Sequence, residues 1–341
     1  MDKKPLAAIV GSRSLLGREI ADILAGSPIR VRPIGADSEE AGLLTEQAGE
    51  PMIMTELDAE NLAGARVAFL TGSAESGRKS LEIISKLATR PALIDLTYLL
   101  EDRATASLRA PVVEPANYAA TALPEHVIAH PAAIVLALFL QRVARIRHIR
   151  EAVAHIFEPA SERAKPGIVE LEKQTVSLLT LKPPPKKVYD EQVAFNLLAR
   201  WGAEAPGRLE DIEARIDRHL GSLLSLDPGI ATPSVRLIQA PVFHGYSISV
   251  RVEFDENPGT ATLEKDLAAA LIDVRGPDLD PPNIVGMAGQ SGIAVGAIAA
   301  DRQNPRAVWF WIAADNLRIM AENAVAVARS LIGQTGIART Q

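Results

Sequence analysis

The sequence predicts an α/β protein with a doubly wound parallel sheet at its N-terminus and a second domain built on a mixed sheet. Three observations carry this. In the first 120 residues short β-rich runs alternate with helical stretches, the pattern of parallel strands joined by crossover helices. Further along, the extended segments lengthen and fewer helices separate them, which suits a mixed or antiparallel sheet. At 341 residues the chain is long enough to bury two cores.

The elements follow in order. "PLAAIV" (5–10) is apolar throughout, as a buried parallel strand requires, and "LGREIADILAG" (16–26) continues with helical spacing and a terminal glycine. "IRVRPIGA" (29–36), "EPMIMTEL" (50–57), "ARVAFLTG" (65–72), "RPALIDLT" (90–97) and "APVVEP" (110–115) read as further strands, with "SGRKSLEIISKLA" (76–88) as a helix among them. In "IAHPAAIVLALFLQ" (128–141) a proline-containing loop opens a helix, a place where the helix N-terminus favours negative charge. "IREAVAHIFEPASERAKPG" reads as a strand entering a loop, "IVELEKQTVSLL" and "LEDIEARIDRHLGSLL" (209–224) as helices, and "KPPPKK" (182–187) as a surface loop. Residues 234–256 hold two extended segments, "AVWFWIAADN" (307–316) a further strand, and "NLRIMAENAVAVARSLI" (316–332) a last helix expected to return to the first domain.

Composition narrows the function. The longest apolar run, "AAIVLALFL", is far short of the roughly 20 residues a membrane span needs. "MDKKPLAAIVGS" runs into a turn without a cleavage pattern and reads as a first strand, so a cytoplasmic location is expected. Net charge is −6 with scattered basic residues, which speaks against a nucleic-acid partner. There is no cysteine, so disulfides, thiolate metal sites and thiol chemistry are excluded together. No His, Asp and Glu have metal-ligand spacing, and no serine sits in a nucleophile elbow.

"VGSRSLLG" (10–17) links the first strand to the first helix with the outer glycine spacing of a phosphate-binding turn. Gly11, Ser12, Arg13, Ser14, Leu15, Leu16 and Gly17, with Gly72 ending a later strand, are the cofactor-binding candidates. Ser14 stands where the middle glycine would be, and the stretch equally suits a tight turn without a ligand. Asp37, Glu39 and Glu40 follow the second strand. They would repel a 2′-phosphate and could accept from a ribose hydroxyl, so NAD suits them better than NADP; a solvated acidic loop is the other reading. His126 and His130 flank the "IAHPAA" loop, while His244 and Tyr246 face one side if "FHGYS" stays extended. Such a pair can serve as an acid/base unit or as structure.

"AIVGSRSLLGREI", "IAHPAAIVLAL", "KPGIVELEKQT" (165–175), "AFNLL" (194–198), "APVFHGYS" (240–247) and "ADNLR" (314–318), in this order and spacing, resemble the aspartate-semialdehyde dehydrogenase family from end to end. The resemblance implies a Rossmann-like dinucleotide-binding domain of residues 1–129 with 315–341, taking NAD or NADP and no metal. It implies a mixed-sheet substrate and dimerisation domain of residues 130–314, hence a homodimer. The family reduces aspartyl phosphate to the semialdehyde through a cysteine thiolate, a histidine acid/base and arginines that hold the substrate's anionic groups.

Carried over residue by residue, the resemblance puts His130, Pro131, Ala132 and Ala133 against the family's Asn-Pro-Asn-Cys run, with Ala133 at the nucleophile. Tyr246 stands at the histidine, Gln239 at one arginine and Glu101 near the other. Asn117, Lys165, Gly167, Glu170 and Gln174 match the family's pattern, and Asn117, Lys165, Glu170 and Gln174 are its substrate-like pocket. The resemblance therefore implies a cysteine-less paralogue, a pseudoenzyme that retains nucleotide binding and dimerisation. The competing expectation is an NAD(P)-dependent reductase acting on a carbonyl without covalent catalysis, with His130, His244 and Tyr246 as its groups.

Overall fold

The computed structural model describes residues 4–37, 39–47, 49–115, 118 and 124–333. They form two compact units, Met1–Ala129 with Met320–Gln341, and His130–Ile319.

The first unit contains β1 (Leu6–Val10), α1 (Leu15–Leu24), β2 (Arg30–Ile34), β3 (Leu44–Gln47), β4 (Glu50–Ile53), α2 (Ala59–Leu62), β5 (Val67–Leu70), α3 (Ala74–Ser85), β6 (Ala92–Asp95), β7 (Ala106–Arg109) and β8 (Glu125–Ile128). Six of the strands make one parallel sheet in the order β2-β1-β5-β6-β8-β7. β1 and β5 are buried at every position, which is why they read as unbroken apolar runs. Pro33 is tolerated because β2 is an edge strand.

Two sequence expectations need correction here. "EPMIMTEL" is a strand over Glu50–Ile53 only, where β4 pairs with β3 in a two-stranded hairpin outside the six-stranded sheet, and Thr55 alone bridges to Ile34 of β2. Within β4 Ile53 is 66% exposed, whereas Met54 and Leu57, just after it, are buried, Leu57 in the core of the first unit. "APVVEP" is a turn. Glu114 accepts the Ala110 N–H at 2.9 Å and grips Arg109 through Nε and Nη2 at 2.8 and 2.9 Å, which folds the chain back instead of extending it. The strands at that edge are β7 and β8, on either side of the turn.

The second unit contains α4 (Pro131–Ile146), β9 (Ile149–Glu158), a 3₁₀ turn (Ala160–Arg163), α5 (Ala164–Leu179), α6 (Leu209–Leu224), β10 (Ser234–Gln239), β11 (Tyr246–Phe254), α7 (Thr260–Leu267), β12 (Ile272–Arg275), β13 (Ile293–Ala300) and β14 (Ala307–Ala314). Its sheet runs β10-β9-β11-β14-β13-β12, with β9–β10 and β12–β13 parallel and the other pairs antiparallel. The predicted α/β class with a parallel and a mixed sheet is thus what the chain adopts. α4 is buried along most of its length, and Phe139 meets Phe310 of β14 edge to face at 5.0 Å. β12, β13 and α7 escaped the sequence reading. β13 is small-residue rich and broken by an irregularity after Gly296, with Ala297 at φ 46°, so it lacks a clean alternation.

The last helix, α8 (Asn316–Leu331), docks in the first unit from Met320 onward. Asn323 Oδ1 accepts the Val112 N–H at 3.1 Å. Among the described residues no helix is long and apolar enough to cross a membrane.

Candidate functional site

In the first unit the glycines of the 10–17 turn are needed for packing. Gly11 has φ 81°, and a Cβ there would lie 2.4 Å from Gly72 Cα. A Cβ on Gly17 would meet the Gly11 carbonyl at 2.5 Å, and one on Gly72 the Ser76 hydroxyl at 2.6 Å. Thr71 stitches the same loops together by donating to the Val10 and Gly11 carbonyls. Ser14 is the N-cap of α1, its hydroxyl accepting the Gly17 N–H at 2.9 Å. Arg13, Leu15 and Leu16 are half-buried.

Ser12 differs from these neighbours. It is buried, and its hydroxyl has no hydrogen-bond partner among the described residues, an uncommon state for a buried polar atom. It lies beside the N-terminus of α1, where the first N–H groups lack intrahelical acceptors. That arrangement fits an anionic group such as a pyrophosphate. Beyond β2 the acids tie down their own loop. Asp37 accepts the Glu39 and Glu40 N–H groups, and Glu40 accepts that of Ala36 at 2.8 Å.

The start of α4 organises the second unit's site. His130 caps the helix, with Nδ1 accepting the Ala132 N–H at 3.3 Å, and its own N–H donates to His219 Nδ1 at 2.9 Å. Because Nδ1 accepts, the ring proton belongs on Nε2, 3.7 Å from Glu162 Oε2. Ala133, the third residue of α4, is fully buried and presents a methyl group.

Glu162 is the hub. Its Oε1 accepts the Asn316 amide at 2.7 Å, and Asn316 Oδ1 accepts the Gly245 N–H at 2.9 Å. Burial raises the Glu162 pKa, while Asn316, the Tyr246 hydroxyl and the Arg163 charge favour its ionised form. Tyr246 is buried, its ring 6.3 Å from that of His130.

Glu158, at the end of β9, is wholly buried, and neither carboxyl oxygen has a hydrogen-bond partner among the described residues. Burial and then the nearby Glu162 push its pKa well above the ordinary carboxylate value, against the pull of Arg163 and Arg215. The Tyr189 hydroxyl and Arg163 Nε are likewise buried without a partner. Burial, with Glu158 next, raises the Tyr189 pKa. Arg163 lies over the Trp201 ring at 4.9 Å. Gln239 has its amide occupied: Nε2 donates to the Glu158 and Ala240 carbonyls, and Oε1 accepts from Trp201 Nε1 at 3.2 Å.

His130, Ala133, Gln239 and Tyr246 therefore all lie in the second unit. His244 does not pair with Tyr246. Gly245, at φ 83°, turns the chain between them, leaving His244 exposed and Tyr246 buried, so the expected extended geometry fails. His126 belongs to β8 in the first unit, 3.5 Å from Arg109. Burial, and then Arg109, lowers its pKa to about 4.

Glu101 is half-buried in the first unit, and Asn117 lies outside the described residues. Lys165 is exposed at the start of α5. Glu170 accepts the N–H groups of Lys187, Val188 and Tyr189. Gln174 accepts those of Val193 and Ala194 and donates to the Pro185 and Glu191 carbonyls. Both side chains thus anchor the 185–194 segment. No group of three His, Cys, Asp or Glu suited to a metal occurs among the described residues.

Sequence reasoning missed Glu158, Glu162 and Asn316. The signal for Glu158 was present. Ala152, Ala154 and Ile156 are the inward positions of β9, and a carboxylate two residues later continues that phase. Glu162 and Asn316 carried no comparable mark, because a 3₁₀ turn and a helix start bring them together from distant sequence.

Residues 159–319 match the family model described as semialdehyde dehydrogenase, dimerisation domain. A USG-1 protein homolog from Pseudomonas aeruginosa is 30% identical over 95% of this chain and 97% of its own length. The structure of a probable aspartate-semialdehyde dehydrogenase from Pseudomonas aeruginosa superposes with TM-score 0.84, at 29% identity over 96% of this chain and 98% of the other. An aspartate-semialdehyde dehydrogenase with NADP from Candida albicans shares the fold at TM-score 0.67 and 15% identity, over 96% and 98% of the two chains. The chain belongs to the aspartate-semialdehyde dehydrogenase family that includes the USG-1 homologs, and it contains no cysteine.

Proposed function

We propose that this chain is a non-catalytic member of its family, a homodimeric scaffold that keeps a dinucleotide-binding turn and has given up covalent chemistry. The observation that carries this is Ala133 in the first turn of α4, where a thiolate would be stabilised by the helix N-terminus. An acyl-enzyme intermediate requires a bond to a nucleophile, and a methyl group forms none.

The surroundings support the same reading. An acyl phosphate needs bidentate cationic partners, but the amide of Gln239 is consumed by its own backbone and Trp201, and Glu162 adds a carboxylate beside the helix start. Tyr246 brings a phenol where acid/base work at neutral pH calls for an imidazole. The reductase alternative needs a free base. His130 Nδ1 already accepts a backbone N–H, and its Nε2 proton is directed toward Glu162, which weighs against it.

For the nucleotide, the unpartnered Ser12 hydroxyl and the α1 N-terminus support a pyrophosphate site. A bound nicotinamide dinucleotide would supply hydride chemistry. Ser12, Arg13 and Ser14 would only hold it.

The test is turnover of aspartate semialdehyde with phosphate and NAD or NADP by the full chain, beside a binding titration with both nucleotides. Expected are no turnover above background and saturable binding of NAD. Enzyme-like hydride transfer would overturn the non-catalytic reading, and failure of both nucleotides to bind would overturn the retained site.

A further inference from the structure

The stretch from Arg142 to Arg150, "RVARIRHIR", carries four arginines and a histidine in a chain whose net charge is −6. It runs from the last turns of α4 into β9, and the fold divides its charges. Towards the end of β11 the cations meet acids. Arg147 Nη1 lies 3.5 Å from Glu256 Oε2, His148 Nδ1 2.8 Å from Asp255 Oδ2 and Arg150 Nε 3.8 Å from Glu253 Oε1. Towards α7, Arg142, Arg145 and Arg147 join Thr262, Lys265 and Asp266 around a cleft of about 580 Å³. Small-molecule sites span roughly 300–1,000 Å³.

The cleft is more cationic than its helices require. Its lining sets four cations against one carboxylate, Asp266, and Glu256 offsets only Arg147 from outside. Helix C-termini attract cations, because their last carbonyls lack intrahelical donors. Arg142 alone meets that need for α7. Its Nε donates to the Leu267 carbonyl at 3.2 Å, and its Nη2 to those of Asp266 and Ala268, the latter at 3.0 Å. These bonds fix the guanidinium and leave Nη1 unused. Arg145 and Lys265 are exposed, with neither an ion pair nor a hydrogen bond among the described residues. Like charges gathered at one cleft repel one another until an anion joins them.

We propose that this cleft binds a small ligand carrying two or more phosphate groups. Every group it has to spare is a donor: the guanidinium of Arg145, Nη1 of Arg142, the ammonium of Lys265 and the Thr262 hydroxyl. Guanidinium forks and a lysine point charge suit phosphate oxygens, and three cations drawn from two helices exceed what one phosphate engages. A nucleic acid would need a cationic surface that continues along a face. Here the acids at 253, 255 and 256 end it within the same short stretch. Arg145 stands about 18 Å along α4 from Ala133, so the cleft is distinct from the helix start that holds His130. It also uses no residue of the 10–17 turn.

The experiment is isothermal titration of the full chain with inorganic tripolyphosphate and with orthophosphate, at about 0.15 M salt, where a Debye length of about 8 Å screens diffuse attraction. Saturable one-to-one binding of tripolyphosphate is expected, at least ~10-fold tighter than orthophosphate. Arg145→Gln/Lys265→Gln should weaken it at least ~10-fold with an unchanged circular dichroism spectrum. Lys79→Gln/Lys86→Gln, which removes two exposed charges from α3, should bind as the parent does. No binding by the parent, or equal weakening in both variants, would overturn the site. Unchanged affinity in Arg145→Gln/Lys265→Gln would overturn its placement in this cleft. A single-stranded RNA or anionic vesicles captured through Arg145 and Lys265, with tripolyphosphate ignored, would overturn the small ligand.

Discussion

Replacing Glu158 by Gln tests whether the carboxyl at the end of β9 is held neutral in the folded protein. The parent side chain is fully buried with both oxygens unpartnered, and burial raises its pKa well above 4.5. An acid whose folded pKa is raised binds its proton more tightly folded than unfolded. Its contribution is fully present below the unfolded pKa and is lost as pH climbs toward the folded one. Across that window, which opens near pH 4.5, stability falls by up to about 1.4 kcal/mol per pH unit. Gln has the same shape and does not titrate. Urea unfolding of Glu158→Gln and the parent at pH 5, 6, 7 and 8 should therefore give a difference that grows with pH in favour of the variant. A difference that stays flat from pH 5 to 8 would refute the reasoning, because it would mean that Glu158 is ionised in the fold.

Three further outcomes follow from other parts of the molecule. Gly11→Ala should cost at least about 2–3 kcal/mol in denaturant unfolding, since a Cβ there lies 2.4 Å from Gly72 Cα at φ 81°. Gly26→Ala, at φ 72° with nothing within 4 Å, should cost only about 1–2 kcal/mol, and equal costs would remove the close-approach argument. Arg109→Met should destabilise the first unit by about 3–5 kcal/mol, measured by thermal unfolding, because it strands the buried Glu114 carboxylate; Arg109→Met/Glu114→Gln should recover much of that loss. Ala133→Cys should restore no measurable semialdehyde turnover, and catalysis at enzyme-like rates would show that the nucleophile alone had been missing.

The sequence made the parallel sheet legible because β1 and β5 are buried on both faces and leave continuous apolar runs. It misled at "APVVEP", where the apolar pair Val112–Val113 hides a turn set by Glu114, whose carboxylate acts on Arg109 and Ala110. A contact between side chain and backbone of that kind has no periodicity to read. At the candidate site the resemblance singled out Ala133, Gln239 and Tyr246 by position in the sequence. What surrounds them could not be read there. Asn316 joins Gly245 to Glu162 across segments far apart in the chain, and only the folded sheet brings these together. His244 and Tyr246 failed for a local reason: one left-handed glycine cancels the alternation on which their pairing depended.

The replacement of a nucleophile by alanine would by itself leave a site that one mutation could reopen. The residues around Ala133 describe something more settled. His130 spends its Nδ1 on the helix it caps and aims the other nitrogen at Glu162; Glu162 in turn is held by Asn316, and Asn316 by Gly245. Gln239 closes on the β9 backbone and Trp201. Each of these contacts commits a polar atom to the protein's own interior, which supports the proposed non-catalytic reading. Groups that bind substrate need free hydrogen-bonding capacity directed at it, whereas here most of that capacity is turned inward. Glu158, Tyr189 and Arg163 are the exceptions, with unpartnered atoms buried in the same unit. A carboxyl kept neutral by its surroundings tolerates this more cheaply than a charged one. Burial favours the neutral form of Glu158, so raising the pH through its titration is a direct way to disturb that interior.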